Sequence, residues 1–354
     1  MKRYVNIISS VLLAISATSF LLLYFVLSFF NRPASDDILF ISILKGKSIS
    51  EYIKWFYETW SGRWTGTAYF YQVMSISNAF QNIHYYMFLY YLITIIIFIY
   101  SVAVILKFSI NKLFNIELRF KTIVVYSILF IGAFYFLTFQ YMEVWWWMCA
   151  SVDTLQGIVF LFLGIALLLQ VKKTIVHYVF ITGCFIYIGG GYEIYSLLII
   201  SISLFTIGYF ILKRNKQFFS FDTNHYLKGL LTGLLALLLS FSISILSPGN
   251  MKRRTYLFKE NKTENSVLST KEVGALINST VFTQKKFIAG IGFAALWLLL
   301  GLKLKSKTDV IKAKHKMKYL LLLSALLIFI SIGITLAFQY LILGNSFIPP
   351  RVEE

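Results

Sequence analysis

Two adjacent carboxylates, Asp36 and Asp37, directly follow the first long apolar run of the chain. Charged carboxylates are costly to remove from water, so we expect the loop that carries them to face water beside a membrane. Such a group can act as a general base on a hydroxyl, or it can hold a divalent cation such as Mg²⁺ or Mn²⁺. Neighbouring side chains on a helix point about 100° apart, so the two aspartates should have different roles. We predict that this pair is the reaction centre.

A guanidinium between two indole rings is the second candidate group, in the segment Trp60-Ser61-Gly62-Arg63-Trp64. Arginine binds phosphate through two parallel hydrogen bonds and also stacks on aromatic rings. We therefore predict that Arg63, with Trp60 beside it, contacts a phosphate or pyrophosphate. The alternative, which stays open, is a cation-π contact that only braces the surface.

Three consecutive glycines, Gly189 to Gly191, precede Tyr192 and Glu193. Glycine readily adopts positive φ angles, so we predict a tight hairpin here, with Glu193 at the start of the next helix. A carboxylate at that position has two explanations that stay open. It can stabilise the positive end of the helix dipole, or it can belong to a substrate site near the lipid interface.

A basic segment, residues 248–286, opens with Pro248-Gly249-Asn250, which predicts a turn. Arg253 and Arg254 follow the turn, and Arg351 lies close to the end of the chain after two prolines. We predict that Arg253 and Arg254, with Asn250 in the turn before them, help to bind the phosphate of a lipid-linked substrate. General attraction to anionic headgroups is the alternative.

Three consecutive tryptophans, Trp145 to Trp147, lie between the carboxylates of Glu143 and Asp153. Aromatic planes beside carboxylates are typical of sugar sites. The same run is equally typical of an anchor at the membrane interface, and both interpretations stay open.

Long apolar runs must position all of these groups, because 58% of the 354 residues are hydrophobic and the mean hydropathy is +0.74. This composition excludes a soluble core and predicts an all-α, polytopic bundle of transmembrane helices that forms a single domain over residues 1–354. We also expect the natural protein to extend beyond the C-terminus, because the chain stops soon after its last span. The nine predicted spans cover residues 7–30, 84–106, 122–141, 154–171, 174–190, 192–212, 229–247, 287–302 and 319–344.

The net charge of +18 is explained by membrane topology. With a cytoplasmic N-terminus, most of the basic excess falls on the inner segments, as the positive-inside rule requires, so no nucleic-acid partner is predicted. Residues 31–83 then form the first outer loop. Within it, Ser48 to Trp60 is an amphipathic pattern rich in aromatic residues, which predicts a helix lying at the lipid headgroups.

Five short motifs in this order resemble the GT-C superfamily of membrane glycosyltransferases, and in particular a bacterial branch similar to the phage-type enzymes that glucosylate O-antigen. The motifs are Pro33-Ala34-Ser35-Asp36-Asp37, Trp60-Ser61-Gly62-Arg63, Gly191-Tyr192-Glu193, Pro248-Gly249-Asn250 followed by Arg253, and Pro349-Pro350-Arg351.

The resemblance implies an enzyme that transfers a hexosyl group from a polyprenyl-phosphate donor to a cell-surface glycan or lipid, on the outer face of a bacterial plasma membrane. It also implies that Asp36 or Asp37 is the base or cation ligand and that Arg63, Arg253 and Arg351 contact phosphate. Two other functions stay open. One is a flippase or exporter of lipid-linked saccharides, and the other is a polysaccharide polymerase or ligase.

Overall fold

A computed structural model describes residues 2–33, 36–76, 83–114, 117–137, 141–170, 174–213 and 223–252. Within these ranges the chain is almost entirely helical and contains no strand, which confirms the predicted all-α class. The predicted spans at 287–302 and 319–344 lie outside the described residues, as does the basic segment after Lys252. The total of nine spans therefore stays a prediction.

Each of the first seven predicted spans coincides with a helix, because an apolar run in hydrocarbon must satisfy its backbone hydrogen bonds internally. The twelve helices within the described ranges are α1 (Lys2–Phe30), α2 (Asp36–Leu44), α3 (Ile49–Thr59), α4 (Trp64–Ile76), α5 (Ile83–Phe114), α6 (Phe120–Leu137), α7 (Tyr141–Trp146), α8 (Met148–Asp153), α9 (Leu155–Leu168), α10 (Ile175–Gly191), α11 (Glu193–Lys213) and α12 (Thr223–Ile245).

Four described segments are long and apolar enough to cross a bilayer, which identifies a membrane protein by length and composition. They are Val11–Phe30, His84–Asn111, Met148–Leu168 and Tyr226–Ile245. Shorter apolar helices, of 10–17 residues, occupy Phe120–Phe136, Ile175–Gly191 and Tyr195–Gly208.

The described residues form two compact units. In the first unit, which contains residues up to Lys45 and from Tyr69 to Gln170, α5 packs against α1, α6 and α9. Its core is aromatic: Trp145 is fully buried and lies 5.0 Å from Tyr135 and 6.1 Å from Tyr24 between ring centroids. One polar pair inside this core is the 3.1 Å hydrogen bond from the Thr94 hydroxyl to Gln156 Oε1. Burial of the aromatic rings therefore positions the α7–α8 segment within the unit.

The second unit contains Gly46–Ala68 together with α10, α11 and α12. α10 and α12 run parallel and in close contact, since Phe185 faces Gly233 and, one turn further on, Gly189 faces Leu237. A Cβ atom on Gly189 would lie 2.6 Å from the Leu237 carbonyl oxygen. The predicted role of the glycines in a turn is therefore wrong for this stretch. All three glycines are helical in α10, and at Gly189 the missing side chain lets two helix backbones approach.

The amphipathic helix predicted in the first loop is confirmed as α3. Ser48 is its N-cap, and a reciprocal capping box joins the Ser48 side chain to the Glu51 backbone and the Glu51 side chain to the Ser48 backbone. Tyr52 and Phe56 form its buried face. α3 therefore begins at a capping box, and its buried face is aromatic.

Candidate functional site

Three segments singled out in the sequence meet in the second unit: residues 60–64, 189–193 and 247–250. The Gly62 backbone N–H donates to Asn250 Oδ1 at 3.1 Å, and Asn250 Nδ2 donates to the Ser244 carbonyl at 2.9 Å. Asn250 therefore connects the loop before Arg63 to the last turn of α12, and both ends of its amide bind protein backbone. The observed role of Asn250 is therefore structural. Substrate binding by Asn250 stays a prediction.

Glycines make this contact possible because the segments meet backbone to backbone. A Cβ atom on Gly62 would lie 1.9 Å from the Ser244 carbonyl oxygen, and one on Gly249 would lie 2.7 Å from the Tyr57 carbonyl oxygen. A Cβ on Gly190 would lie 2.6 Å from Trp64 Nε1. A side chain larger than hydrogen does not fit at Gly62 or Gly249 unless a backbone moves, and at Gly190 it would displace the Trp64 and Thr65 side chains.

The end of α3 is hydrogen-bonded to the end of α12 and to the residues that follow it. The Tyr57 hydroxyl donates to the Ile243 carbonyl at 2.9 Å, and the Ser247 hydroxyl donates to the Tyr57 carbonyl. The chain breaks from helix at Leu246 and Ser247 and is helical again from Pro248. We refer to the interlocked residues Tyr57, Gly62, Ser244, Ser247 and Asn250 as the loop joint.

The loop joint presents Arg63 to Glu193. Arg63 Nε donates to Glu193 Oε2 at 3.2 Å, and the guanidinium carbon lies 4.6 Å from the centre of the Tyr192 ring. The Arg63 side chain is 25% exposed and that of Glu193 is 11% exposed. Arg63 thus forms an ion pair and a cation-π contact, but the ring in that contact is Tyr192 and the sequence predicted the neighbouring indoles. Together the two contacts hold a planar cation in one orientation near the surface of the unit.

Backbone contacts also fix the turn that carries Arg63. The Thr65 hydroxyl donates to the Tyr187 carbonyl at 2.8 Å, and the Thr67 hydroxyl donates to the Arg63 carbonyl at 2.9 Å. The start of α4 is therefore tied to the last turn of α10, and Glu193 begins α11 as predicted. Arg63 and Glu193 thus lie where the apolar helix α10 ends and α11 begins.

The predicted reaction centre belongs to the first unit, and its two aspartates differ. Asp37 is completely buried, with Oδ2 accepting the Met148 N–H at 3.3 Å and Oδ1 accepting the Cys149 N–H at 2.7 Å. The expectation that both carboxylates face water is therefore wrong for Asp37, because its charge is compensated by the first backbone N–H groups of α8. Asp36, the first residue of α2, is partly exposed.

The tryptophan run lies next to this contact and is mostly interior. Trp145 and Trp146 are buried, and Trp146 Nε1 donates to the Tyr135 hydroxyl at 3.0 Å. The Trp146 carbonyl accepts from Asn31 Nδ2 at 2.7 Å and from the Tyr91 hydroxyl at 2.9 Å. Both interpretations of the run, a sugar platform and a membrane anchor, are wrong for these two rings because they fill the protein core.

The other predicted site residues have different outcomes. Trp60 is 47% exposed at the end of α3, so its ring is accessible beside the loop joint. Arg253, Arg254 and Arg351 lie outside the described residues. Within the described ranges, no three His, Cys, Asp or Glu side chains are grouped to hold a metal ion, and the Mg²⁺ or Mn²⁺ at Asp36 and Asp37 stays a prediction.

Sequence reasoning missed several positioning residues, notably Asn31, Thr65, Tyr91 and Ser247. Each is a common polar side chain whose partner is a distant backbone carbonyl. No local pattern marks such a residue, although the Ser-x-x-Glu spacing at Ser48 was a readable signal for the start of α3.

Comparison with known proteins adds no relative. The chain matches no protein-family model, no curated protein and no solved structure. Function is therefore inferred from the chemistry of the two residue groups, Arg63 with Glu193 in the second unit and Asp36 with Asp37 in the first.

Proposed function

We propose that this protein is a membrane glycosyltransferase of the GT-C type. It moves a hexosyl group from a polyprenyl-phosphate donor to a cell-surface glycan or lipid on the outer face of a bacterial plasma membrane. The observation that carries this proposal is the fixed guanidinium of Arg63, which is stacked on Tyr192 and held at the ends of apolar helices. A planar cation at the ends of apolar helices suits the phosphate of a lipid whose chains lie in the bilayer.

The proposed reaction needs one base and one group that stabilises a departing phosphate. A carboxylate of the Asp36–Asp37 pair takes the proton of the acceptor hydroxyl, whose oxygen bonds to the anomeric carbon of the sugar. The bond from that carbon to the phosphate oxygen breaks, and its electron pair leaves with the phosphate. The candidates for the cation that stabilises the added negative charge are Arg63, Arg253 and Arg351. Mg²⁺ or Mn²⁺ at the aspartates would supply the same kind of charge stabilisation.

The distribution of charge favours a transferase over a flippase or exporter. A transporter typically carries its binding groups near the bilayer midplane. In the four segments long enough to span, the Asp, Glu, Lys and Arg residues are Lys107, Asp153 and Lys228, each within a few residues of an end of its segment. Among the described residues, chemistry at the membrane boundary therefore fits better than passage through the bilayer.

Arg63 fits a pyrophosphate as well as a phosphate, so a polymerase or ligase acting on pyrophosphate-linked glycans is the second candidate. The donor distinguishes the two functions. The protein in lipid nanodiscs is incubated with polyprenyl-phosphate-hexose or with polyprenyl-pyrophosphate-glycan, and transfer to short glycan and lipid acceptors is followed by mass spectrometry. We expect transfer from the monophosphate donor only.

Variants of Arg63 test the phosphate role. Because lysine keeps the charge but loses the planar, two-point contact, Arg63→Lys should retain a small fraction of the activity and Arg63→Gln almost none. Lys54→Gln, which removes an exposed charge from α3, is the matched control and should behave as wild type. Equal activity of Arg63→Gln and wild type would exclude the proposed role of Arg63. Transbilayer movement of the donor without transfer would identify a flippase instead.

A further inference from the structure

We propose that Asp37 is a positioning residue and that Asp36 is the carboxylate that reacts. This assignment rests on the proposed function and extends it, because the sequence leaves the roles of the two aspartates open. It is carried by the contacts of Asp37, which involve the start of α8 more than 100 residues away in the chain.

Asp37 is placed as a structural anchor. Its exposed fraction is 0%, and each carboxylate oxygen accepts one backbone N–H, from Met148 or Cys149. A general base must approach the proton it removes to a heavy-atom distance of about 2.6–3.2 Å, directly or through one water. A carboxylate with no exposed surface cannot receive an acceptor hydroxyl unless the segments packed around it move.

The loop that carries Asp36 is anchored on both sides at the same place. Before it, Asn31 Nδ2 donates to the Trp146 carbonyl at 2.7 Å, and after it Asp37 accepts from residues 148 and 149. At the break between α7 and α8, the Trp146 carbonyl thus accepts from Asn31, and the backbone N–H groups of residues 148 and 149 donate to Asp37. Two anchors a few residues apart limit the positions that the intervening carboxylate can adopt.

Asp36 differs from its neighbour in exposure. It is the first residue of α2 and remains partly exposed, and its side chain points about 100° away from that of Asp37 around the helix. A substrate can therefore approach Asp36 while the neighbouring carboxylate keeps the loop in place. In this arrangement Asp36 takes the proton of the acceptor hydroxyl, and Asp37 acts only through the position of Asp36.

The first experiment is independent of sugar transfer. The wild-type protein in nanodiscs is treated with a water-soluble carbodiimide and glycine ethyl ester, and modified carboxylates are located by peptide mass spectrometry. We expect Asp36 to be modified and Asp37 to be protected. Modification of Asp37 at a rate similar to that of Asp36 overturns the assignment, whatever reaction the protein catalyses.

The second experiment measures the anchor itself. Asp37→Asn retains one acceptor oxygen but places an amide NH₂ against the other backbone donor, so hydrogen exchange at Met148 and Cys149 should accelerate about tenfold or more. Asp36→Asn and the exposed control Glu117→Gln should leave that exchange unchanged. Unchanged exchange in a folded Asp37→Asn protein overturns the positioning role. If Asp37→Asn does not fold, the carbodiimide experiment on the wild-type protein decides.

The third experiment uses transfer activity and its pH dependence. Loss of a general base typically lowers the rate about 10²- to 10⁴-fold, so Asp36→Asn should do so and should abolish the acidic limb of the kcat profile. Asp37→Asn should lower kcat but keep that limb, because Asp36 is still the base. Loss of the limb in Asp37→Asn and its retention in Asp36→Asn overturn the proposal. If the wild-type protein transfers no sugar, the proposed function fails, while the labelling and exchange results still decide the role of Asp37.

Discussion

Substitution of Gly62 by alanine should disconnect the loop that carries Arg63 from α12. A Cβ atom at this position would lie 1.9 Å from the Ser244 carbonyl oxygen and 2.9 Å from Asn250 Nδ2. An ordinary contact needs about 3.4 Å or more, so one of the two backbones must move by roughly 1.5 Å. A movement of that size also breaks the hydrogen bonds from Gly62 to Asn250 and from Asn250 to Ser244.

The expected cost follows from these two effects. Overpacking of a tight contact typically costs about 1–3 kcal/mol. Two lost hydrogen bonds contribute roughly 0.5–1.5 kcal/mol each. The free energy of unfolding should therefore fall by about 2–6 kcal/mol, which is a large part of the roughly 5–15 kcal/mol that typically stabilises a folded protein.

Thermal unfolding can be followed through Cys184, which is 2% exposed inside the second unit and reacts with a thiol dye only when that unit opens. The matched control is Gly183→Ala. A Cβ atom on Gly183 would meet nothing within 4 Å, and alanine is the better helix former, so this variant should be as stable as wild type or slightly more stable.

A double-mutant cycle makes the test specific to the loop joint. Asn250→Ala alone removes both hydrogen bonds and should cost about 1–3 kcal/mol. Because Gly62→Ala already breaks those bonds, the double variant should be less destabilised than the sum of the single variants. Additive effects, or a Gly62→Ala protein as stable as Gly183→Ala, would refute the close contact between the loop and α12.

Two further predictions concern the core and α3. Trp145→Ala should lower the free energy of unfolding by about 3–5 kcal/mol, because the ring is fully buried, whereas Phe120→Ala, at a ring 72% exposed, should cost far less in the same unfolding assay. The pKa of Glu51 lies below its usual value because the backbone N–H and the hydroxyl of Ser48 donate to its carboxylate. A lowered folded-state pKa means that the cap stabilises α3 at pH values above the ordinary glutamate pKa of about 4.3, and that this stability is lost as the pH falls through the folded-state value. Hydrogen exchange in the first turn of α3, corrected for the intrinsic rate, should therefore increase with acidification in the wild-type protein but not in Glu51→Gln. Equal pH dependence in the two proteins would contradict the capping role of the carboxylate.

The positions of the helices were predictable because their cause is local. An apolar run must bond its own backbone in hydrocarbon, and this condition predicted α1, α5, α6 and α9 to α12 from hydropathy alone. The period of apolar residues predicted α3, and a carboxylate after the glycines predicted the start of α11 at Glu193. The sequence also marked Arg63 as a candidate residue, but its observed aromatic partner, Tyr192, comes from a distant segment.

Contacts between distant segments decided which side chains of each motif are buried and which are exposed. The partners Asp37 and Cys149 are 112 residues apart, and Gly62 and Asn250 are 188 residues apart. No periodicity or turn rule relates positions so distant, so the burial of one aspartate beside a partly exposed one could not be inferred from two identical adjacent residues. The same reason explains the two central errors. Trp145 and Trp146 entered the core and α10 remained helical through its glycines because backbone and ring surfaces from remote segments met there and left no space for the predicted alternatives.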